Sequence, residues 1–263
     1  MRRLENRNGW LWMPGQAPQP YLSVVIPAYN EEKRLPPTLR TILDYLRARS
    51  FTWEIVVVDD GSADATHHVA DQILATADGR VLRNDPNLGK ARSVKRGLSE
   101  SRGSIALFTD ADLSTPIEEA DRLLAAIENG ADIAIGSRQI PGAKLEVRQP
   151  WYREMAGRTF GLINRAVLQH GIPDSQCGFK AFTRRAVERV LPHQKLTGWA
   201  FDAELMFIAR RLGLSIAQIP VRWVNSPDTK VKMLVDGPKM VADLFRIRWL
   251  HRNLRRDAAS APG

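Results

Sequence analysis

Two aspartates, Asp110 and Asp112, stand one residue apart directly after the apolar run Ile105–Phe108. If that run is a buried strand, carboxylates at this spacing can reach one side of the strand end and share a divalent ion. Mg²⁺ or Mn²⁺ suits hard oxygen ligands, and it would neutralise the charge that builds up on a diphosphate when a bond to it breaks. The alternative is structural, with one aspartate capping the next helix and the other solvated.

Two other loops place polar side chains after apolar runs. In the segment 59–62, Asp-Asp-Gly-Ser, a carboxylate such as that of Asp60 can accept hydrogen bonds from a base N–H or a ribose hydroxyl. The same residues also form ordinary turns and caps. In the segment 27–32, Pro-Ala-Tyr-Asn-Glu-Glu, Tyr29 is placed to contact a base and Glu31 a sugar, or the segment is simply a capped strand-to-helix loop.

Several common chemistries are disfavoured by what the sequence lacks. No G-x-G-x-x-G follows the first apolar run and no G-x-x-x-x-G-K-[ST] occurs, which argues against a dinucleotide site and a P-loop ATPase. Cys177 is the single cysteine, so the chain has neither an internal disulfide nor a cysteine cluster for a metal, as expected in a reducing compartment.

Strand-like and helix-like segments alternate in the first half of the chain. The predicted strand segments are 21–27, 53–62, 81–84, 104–114 and 131–138, where 53–62 and 104–114 each end in acidic residues, and the predicted helices are 35–46, 65–77, 90–101 and 116–129. This alternation predicts an α/β fold with a doubly wound, mostly parallel sheet. Ligands bind such sheets at the carboxyl ends of the strands, where the candidate residues stand.

The rest of the chain is less regular. It predicts helices at 151–170, 184–191, 202–212 and 233–256 and strands at 178–183 and 215–223. We expect a flexible arm at 1–20, one domain at 21–230, a basic amphipathic helix at 231–256 and a disordered tail at 257–263. Within the domain, 139–230 is expected to be a subdomain on the open edge of the sheet formed by 21–138.

The net charge of +9 is concentrated near the end of the chain. Residues 230–256 hold three Lys and five Arg against two Asp, so they carry two thirds of the excess. An apolar stripe of Met240, Leu244, Ile247 and Leu254 beside these basic residues predicts binding of 239–256 to an anionic membrane surface. The alternative is a helix packed on the domain with a solvated basic face.

The apolar runs are far shorter than a membrane span, and no secretory signal is visible at the N-terminus. We therefore expect a cytoplasmic protein associated peripherally with a membrane. A nucleic-acid partner is not expected, because few aromatic residues interleave with the basic ones.

Four segments, taken together and in order, resemble the inverting glycosyltransferases of family 2, which have the GT-A fold. They are VVIPAYNEEKRLPPTL, VVVDDGSADAT, NLGKARSVKRGL and FTDADLS. In the second half, DSQCGFKAFTRRA and WAFDAELMFIARRLG resemble the polyprenyl-phosphate branch of that family, most of all the dolichyl-phosphate β-glucosyltransferases. The similarity covers roughly residues 21–256.

The resemblance implies roles for individual residues. Asp110 and Asp112 would hold Mg²⁺ or Mn²⁺, and with Arg138 and Arg153 they form the implied catalytic set. The residues implied to bind the nucleotide-sugar are Pro27, Ala28, Tyr29, Glu31, Val58, Asp60, Gly61, Lys90, Asp110, Ala111, Asp112 and Ser114. The acceptor phosphate would be gripped by Arg138, Arg148, Arg153 and Lys180, while Gln176, Asp202 and Glu204 would orient the sugar or the acceptor.

The implied reaction transfers a hexose, glucose from UDP-glucose in the first instance, to a polyprenyl phosphate at the cytoplasmic membrane face. A phosphate acceptor needs no dedicated base, because a monophosphate with a second pKa of about 6 is largely dianionic at pH 7. The stretch DADLS is more like that of mannose synthases, so GDP-mannose and UDP-N-acetylglucosamine remain alternative donors, as does a soluble acceptor. A non-catalytic basic domain that binds membrane or nucleic acid is the remaining alternative.

Overall fold

The computed structural model describes residues 19–147, 151–168, 171–225 and 233–254, in which strands and helices alternate. The strands are β1 (Leu22–Ala28), β2 (Trp53–Asp59), β3 (Gly79–Arg83), β4 (Ile105–Thr109), β5 (Ile133–Ser137), β6 (Lys144–Val147), β7 (Phe179–Thr183), β8 (Ile216–Pro220) and β9 (Arg222–Val224). The helices are α1 (Leu35–Arg47), α2 (Thr66–Leu74), α3 (Lys90–Glu100), α4 (Ala120–Glu128), α5 (Trp151–Leu168), α6 (Arg184–Val190), α7 (Phe201–Arg211) and α8 (Met233–Leu250).

Seven strands form one sheet in the order β3-β2-β1-β4-β7-β5-β8. Its strands are parallel except for β7, which runs antiparallel to β4 and β5. β1, β4 and β5 are buried along their whole length, because helices cover both faces of the sheet. This explains their continuous apolar sequences. The predicted doubly wound, mostly parallel α/β fold is confirmed.

The second half of the chain differs from its prediction in two ways. β7 enters the sheet between β4 and β5, so the second half is interleaved with the first and is not built on the open edge. The predicted strand 215–223 is two strands, since β8 belongs to the main sheet and β9 pairs with β6 in a separate two-stranded sheet. These pairings join distant parts of the chain, and local apolar patterns do not encode them.

Two apolar cores lie on the two faces of the sheet. One packs α1, α2 and α4 against it around Leu39, and the other packs α3, α6 and α7 around Leu98. A smaller cluster around Leu244 joins α5, α7 and α8. The layers fix the strand ends from which the polar loops emerge.

The structure describes only part of the two terminal segments. α8 ends at Leu250, short of the predicted 256. The predicted arm, apart from residues 19 and 20, and the predicted tail at 257–263 lie outside the described residues.

Candidate active site

A cavity of about 980 Å³ opens at the carboxyl ends of β1, β2 and β4. We call one side of it the strand-end half, formed by lining residues within 27–34, 60, 87–93 and 109–115. The other side is the helix half, formed by lining residues within 138–139, 156–164, 173–178, 199–202 and 223–240. The predicted site residues that line it are Pro27, Ala28, Tyr29, Glu31, Asp60, Lys90, Asp110, Ala111, Asp112, Ser114, Arg138, Gln176 and Asp202.

Asp110 and Asp112 both line the cavity directly after β4. The Asp112 Oδ1 atom accepts a hydrogen bond of 3.0 Å from the Ser114 backbone N–H. Asp110 keeps its position because residue 178 is glycine: a Cβ there would lie 2.6 Å from the Asp110 Cγ and overlap its Oδ2. Backbone from the loop before β7 thus forms a close cradle for the Asp110 carboxylate.

Lys90 is the first residue of α3, and its Nζ lies 2.6 Å from the Asp110 Oδ1. Burial by itself lowers the pKa of this ammonium, but the carboxylates of Asp110, Asp202 and Asp112 outweigh burial and raise the pKa above its usual value. Lys90 is therefore a cation held within the acidic part of the cavity.

Lys180 is fully buried, forms an ion pair with Asp202 and donates a 2.5 Å hydrogen bond to the Cys177 carbonyl oxygen. It does not line the cavity, so its predicted contact with a lipid phosphate is corrected to a structural ion pair. Asp202 does line the cavity. Burial raises the pKa of Asp202 above its usual value, against the opposing effect of Lys180 and Lys90.

Arg138 lines the helix half but is paired within the protein. Its Nε and Nη2 each donate a 2.7 Å hydrogen bond to the buried Asp174 carboxylate, and its backbone N–H adds a third of 2.8 Å. Burial alone would raise the pKa of Asp174, but the Arg138 guanidinium outweighs burial and holds this pKa below its usual value. The positive charge of Arg138, which was predicted to bind a substrate phosphate, is thus largely neutralised by Asp174 within the protein.

Asp60 organises the loop that leads into α3. Its Oδ1 accepts hydrogen bonds from the Asn84 side chain at 2.7 Å and the Leu88 N–H at 3.0 Å, and its Oδ2 accepts one from the Gly89 N–H at 2.8 Å. Asp60 is 3% exposed and still lines the cavity. Its carboxylate is therefore fixed in orientation before any ligand arrives.

The loop after β1 supplies an exposed aromatic ring beside an ion pair. Tyr29 is 39% exposed and lines the cavity. Glu31 binds Arg34 through both carboxylate oxygens at 2.6 and 2.7 Å, so the predicted sugar contact would have to share Glu31 with Arg34.

Four predicted residues do not line the cavity. Val58 is packed in the apolar core of the sheet, and Gly61 has a φ of 70° in the turn after β2. Glu204 is fully buried and accepts hydrogen bonds from the Lys195 and Leu196 N–H groups at 3.0 and 2.9 Å, while His251 Nε2 lies 2.8 Å from it. Its predicted orienting role is corrected to anchoring α8, because its carboxylate faces this loop and helix. The fourth predicted residue that does not line the cavity is Lys180, described above.

Two predicted phosphate contacts are not tested. Arg148 and the side chain of Arg153 lie outside the described part of the structure.

Several residues of the helix half were not predicted from the sequence. Phe160, Trp199, Trp223 and Met240 line it with apolar surface, and Asn164 lines it with a buried amide. They come from α5, α8, the loop before α7 and β9, and no short motif joins them. One signal was available in the sequence: Phe160 and Asn164 are four residues apart, and this spacing places both side chains on one face of a helix.

The predicted apolar stripe of α8 faces inward. Leu244 and Ile247 are fully buried against α5 and α7, and Met240 and Leu254 pack at the edges of apolar clusters. The large apolar side chains that remain exposed on α8 and the adjacent α5 are instead those of Trp151, Met155, Leu162, Val235, Phe245 and Trp249. None of the described helices is long and apolar enough to cross a bilayer.

The chemistry of the cavity fits a divalent cation. Among the described residues that line it, six are acidic and three are basic, an excess of three formal negative charges. A diphosphate would be repelled from such a cavity unless a cation entered with it. No group of three or more His, Cys, Asp or Glu that could hold a metal occurs within the described ranges, so Asp110 and Asp112 would be a partial ligand set, with the remaining positions left to phosphate and water.

The comparisons with known sequences agree with one another. The model of the family described as Glycosyl transferase family 2 matches residues 23–191. The dolichyl-phosphate beta-glucosyltransferase ALG5A of Trichomonas vaginalis is 40% identical over 247 residues, which cover 88% of this chain and 74% of that protein. The dolichyl-phosphate beta-glucosyltransferase of Homo sapiens is 35% identical over 246 residues, covering 88% and 76%.

Solved structures share the fold at lower identity. Glucosyl-3-phosphoglycerate synthase from Mycobacterium tuberculosis, in complex with Mn²⁺, UDP and glucosyl-3-phosphoglycerate, matches with a TM-score of 0.63 at 20% identity, covering 95% of this chain and 88% of that one. Mannosyl-3-phosphoglycerate synthase from Rubrobacter xylanophilus matches with a TM-score of 0.64 at 21% identity, covering 93% and 78%. At this identity the likeness concerns the fold.

Proposed function

The chain belongs to glycosyltransferase family 2, and on that premise we propose that it transfers glucose from UDP-glucose to the phosphate of a dolichyl-type polyprenyl lipid. The observation that carries the proposal is that an acidic strand-end half and a helix half lined by aromatic and apolar side chains share one cavity. The relatives named dolichyl-phosphate beta-glucosyltransferase, similar over most of the chain, support the glucosyl group and the dolichyl-phosphate acceptor.

The strand-end half binds the donor. Tyr29 offers an exposed ring beside Pro27 and Ala28, and Asp60 offers a carboxylate fixed by three hydrogen bonds, so we assign these residues to the nucleoside. A prepositioned carboxylate selects a base N–H or a ribose hydroxyl without the entropic cost of ordering a loop.

Asp110 and Asp112 hold Mg²⁺ or Mn²⁺ in this proposal. A divalent ion bound there supplies charge neutralisation for the diphosphate leaving group. The chain's own part is positioning: Gly178 allows the close approach that fixes Asp110, and the Ser114 N–H fixes Asp112. Lys90 adds a positive charge beside them.

The helix half binds the acceptor. Phe160, Trp199, Trp223 and Met240 provide apolar surface suited to the first part of a polyprenyl chain. Arg138 lines this wall, is held in place by Asp174, and orients the lipid phosphate in this proposal. A dianionic phosphate attacks C1 without losing a proton, so the residues need to align it and no general base is required. Direct displacement at an α-linked donor then gives a β-linked product.

The exposed apolar side chains of α5 and α8 contact the membrane in this proposal. Trp151, Met155, Leu162, Phe245 and Trp249 are each more than half exposed, and the two helices pack against each other. Exposed basic side chains accompany them, including Arg158 and Arg246. Aromatic and basic residues together suit the interface of an anionic bilayer. The donor enters from the aqueous, cytoplasmic side.

The test is transfer of label into lipid. Purified protein is incubated with dolichyl phosphate, Mg²⁺ and, separately, radiolabelled UDP-glucose, UDP-N-acetylglucosamine or GDP-mannose, and label in the organic phase is counted. We expect label from UDP-glucose and its loss with EDTA. Label from another donor would refute the donor assignment, and no label from any donor would refute the acceptor.

A further inference from the structure

We infer that Lys90 couples metal binding to nucleotide binding: its ammonium stands in for a divalent cation at Asp110 in the metal-free protein and transfers to the donor diphosphate when the ion binds. This inference rests on the proposed metal-dependent function and adds to it a reason for the two ligands to bind together.

The geometry places the two cations in competition. Lys90 Nζ lies 2.6 Å from the Asp110 Oδ1, while Gly178 closes in on the Oδ2 of the same carboxylate. The side chains of Lys90 and Asp110 are 27% and 33% exposed, so an ion from solvent can reach the pair. A divalent ion and an ammonium on one carboxylate repel each other strongly at such separations. Metal binding therefore has to displace Lys90.

The displaced ammonium needs another anion. Lys90 begins α3, and Gly89, Lys90 and Ser93 all line the cavity, so its flexible four-carbon side chain can turn within the strand-end half. Phe108, whose ring centroid lies 5.5 Å from Nζ, bounds this movement on the strand side. Two other carboxylates lie near enough to raise the pKa of Lys90. Asp202 is already paired with Lys180, and Asp112 is a metal ligand in the proposed function. A diphosphate supplies oxygens that no protein group has yet neutralised.

The consequence is reciprocal cooperativity. UDP strengthens Mn²⁺ binding by giving Lys90 a new partner, and Mn²⁺ strengthens UDP binding by the same factor. Without nucleotide, a metal ion has to break the Lys90–Asp110 pair, and this cost weakens its binding. The protein therefore disfavours a metal complex that lacks the donor.

The experiment measures Mn²⁺ binding and not turnover. Free Mn²⁺ is followed by electron paramagnetic resonance during titration of wild type, Lys90→Gln and Lys95→Gln, each with and without saturating UDP. Lys95 is the matched control, because it lies on the same helix and loses the same charge, but its Nζ donates to the Gln194 carbonyl oxygen at 3.2 Å.

We expect Lys90→Gln to bind Mn²⁺ about five- to tenfold more tightly than wild type without UDP, and the strengthening by UDP to fall by the same factor. Lys95→Gln should behave as wild type. In Lys90→Gln/Asp110→Asn the gain should vanish, which places it at Asp110.

Equal or weaker Mn²⁺ binding by Lys90→Gln overturns the inference, as does an equal gain in Lys95→Gln. If wild type binds Mn²⁺ and UDP cooperatively while Lys90→Gln is unchanged, the proposed function survives and the coupling role of Lys90 does not. If wild type binds no Mn²⁺ even with UDP, both are refuted.

Discussion

The strand-end half and the helix half of the cavity use charged residues in opposite ways. In the strand-end half, Asp110 and Asp112 are partly exposed: Asp110 is paired with Lys90, which is also within reach of solvent, and Asp112 is held by a backbone N–H, so a ligand can reach both carboxylates. In the helix half, Asp174 neutralises Arg138 and Lys180 neutralises Asp202. The comparison teaches that charge at a strand end is arranged for a ligand, whereas charge on the helix side mostly holds the wall together and leaves recognition to apolar surface.

The largest effect is expected from Asp112→Asn, which removes a charge that the strand-end half keeps for ligand. Transfer activity should fall at least about a hundredfold, because charge stabilisation of this kind is worth about 10²–10³ in rate. The melting temperature should stay within a few degrees of wild type. Asp71→Asn, an exposed acid on α2, is the control and should remain fully active. An active Asp112→Asn enzyme would break the comparison.

Asp174→Asn should instead damage the fold of the helix half. It leaves the Arg138 guanidinium, three quarters buried, without its charged partner, which costs about 2–4 kcal/mol. Urea unfolding at pH 7 measures this loss. Removing Glu154 from the exposed pair with Arg158 by Glu154→Gln should cost less than about 0.5 kcal/mol.

The pH dependence has a definite sign. Since the folded-state pKa of Asp174 lies below its unfolded value of about 3.9, the pair stabilises the protein above that pH and loses its effect as the pH falls below it. The stability difference between wild type and Asp174→Asn should therefore shrink below about pH 4. A difference that grows on acidification would contradict the assignment.

Gly178→Ala tests a contact between the two halves of the cavity, because Gly178 belongs to the helix half and packs against Asp110 of the strand-end half. The added Cβ would overlap the Asp110 carboxylate, and displacing a reacting group by about 1 Å costs up to about a hundredfold in rate. We expect a tenfold to hundredfold loss of activity and weaker Mn²⁺ binding in the presence of UDP. Gly198→Ala, whose Cβ would meet Asp243 Oδ2 at an ordinary 3.4 Å, should lose neither. Normal metal binding by Gly178→Ala would remove the proposed cradle.

The smallest effect concerns the outer surface of the helix half. Replacing Phe245 and Trp249 by serine should weaken binding to anionic vesicles about tenfold, since the two partly inserted side chains together contribute on the order of 1.4 kcal/mol of apolar transfer. Co-sedimentation with vesicles measures it. Val147→Ser, an exposed apolar residue on β6, is the control. Equal losses in both variants would show that the contact is not confined to α5 and α8.

The positions of the strand-end residues could be predicted from the sequence because the signal is local, while their roles stay predictions. Each of Tyr29, Asp60 and Asp112 follows a continuous apolar strand, and parallel strands bring such ends together. The helix half was predicted poorly, since spacing along the chain cannot reveal that Lys180 pairs with Asp202 or that β7 enters the sheet antiparallel between β4 and β5. The amphipathic pattern of α8 was seen, but its apolar stripe serves the core.

The acceptor is the central claim, and a competition between two acceptors tests it most directly. Radiolabelled UDP-glucose and Mg²⁺ are supplied to the protein with equal concentrations of dolichyl phosphate in mixed micelles and of 3-phosphoglycerate in solution. Label is then counted in the organic and the aqueous glycoside fractions. The apolar helix half predicts label in the lipid fraction, reduced by Asp112→Asn. Label in glucosyl-3-phosphoglycerate with none in lipid would contradict the account.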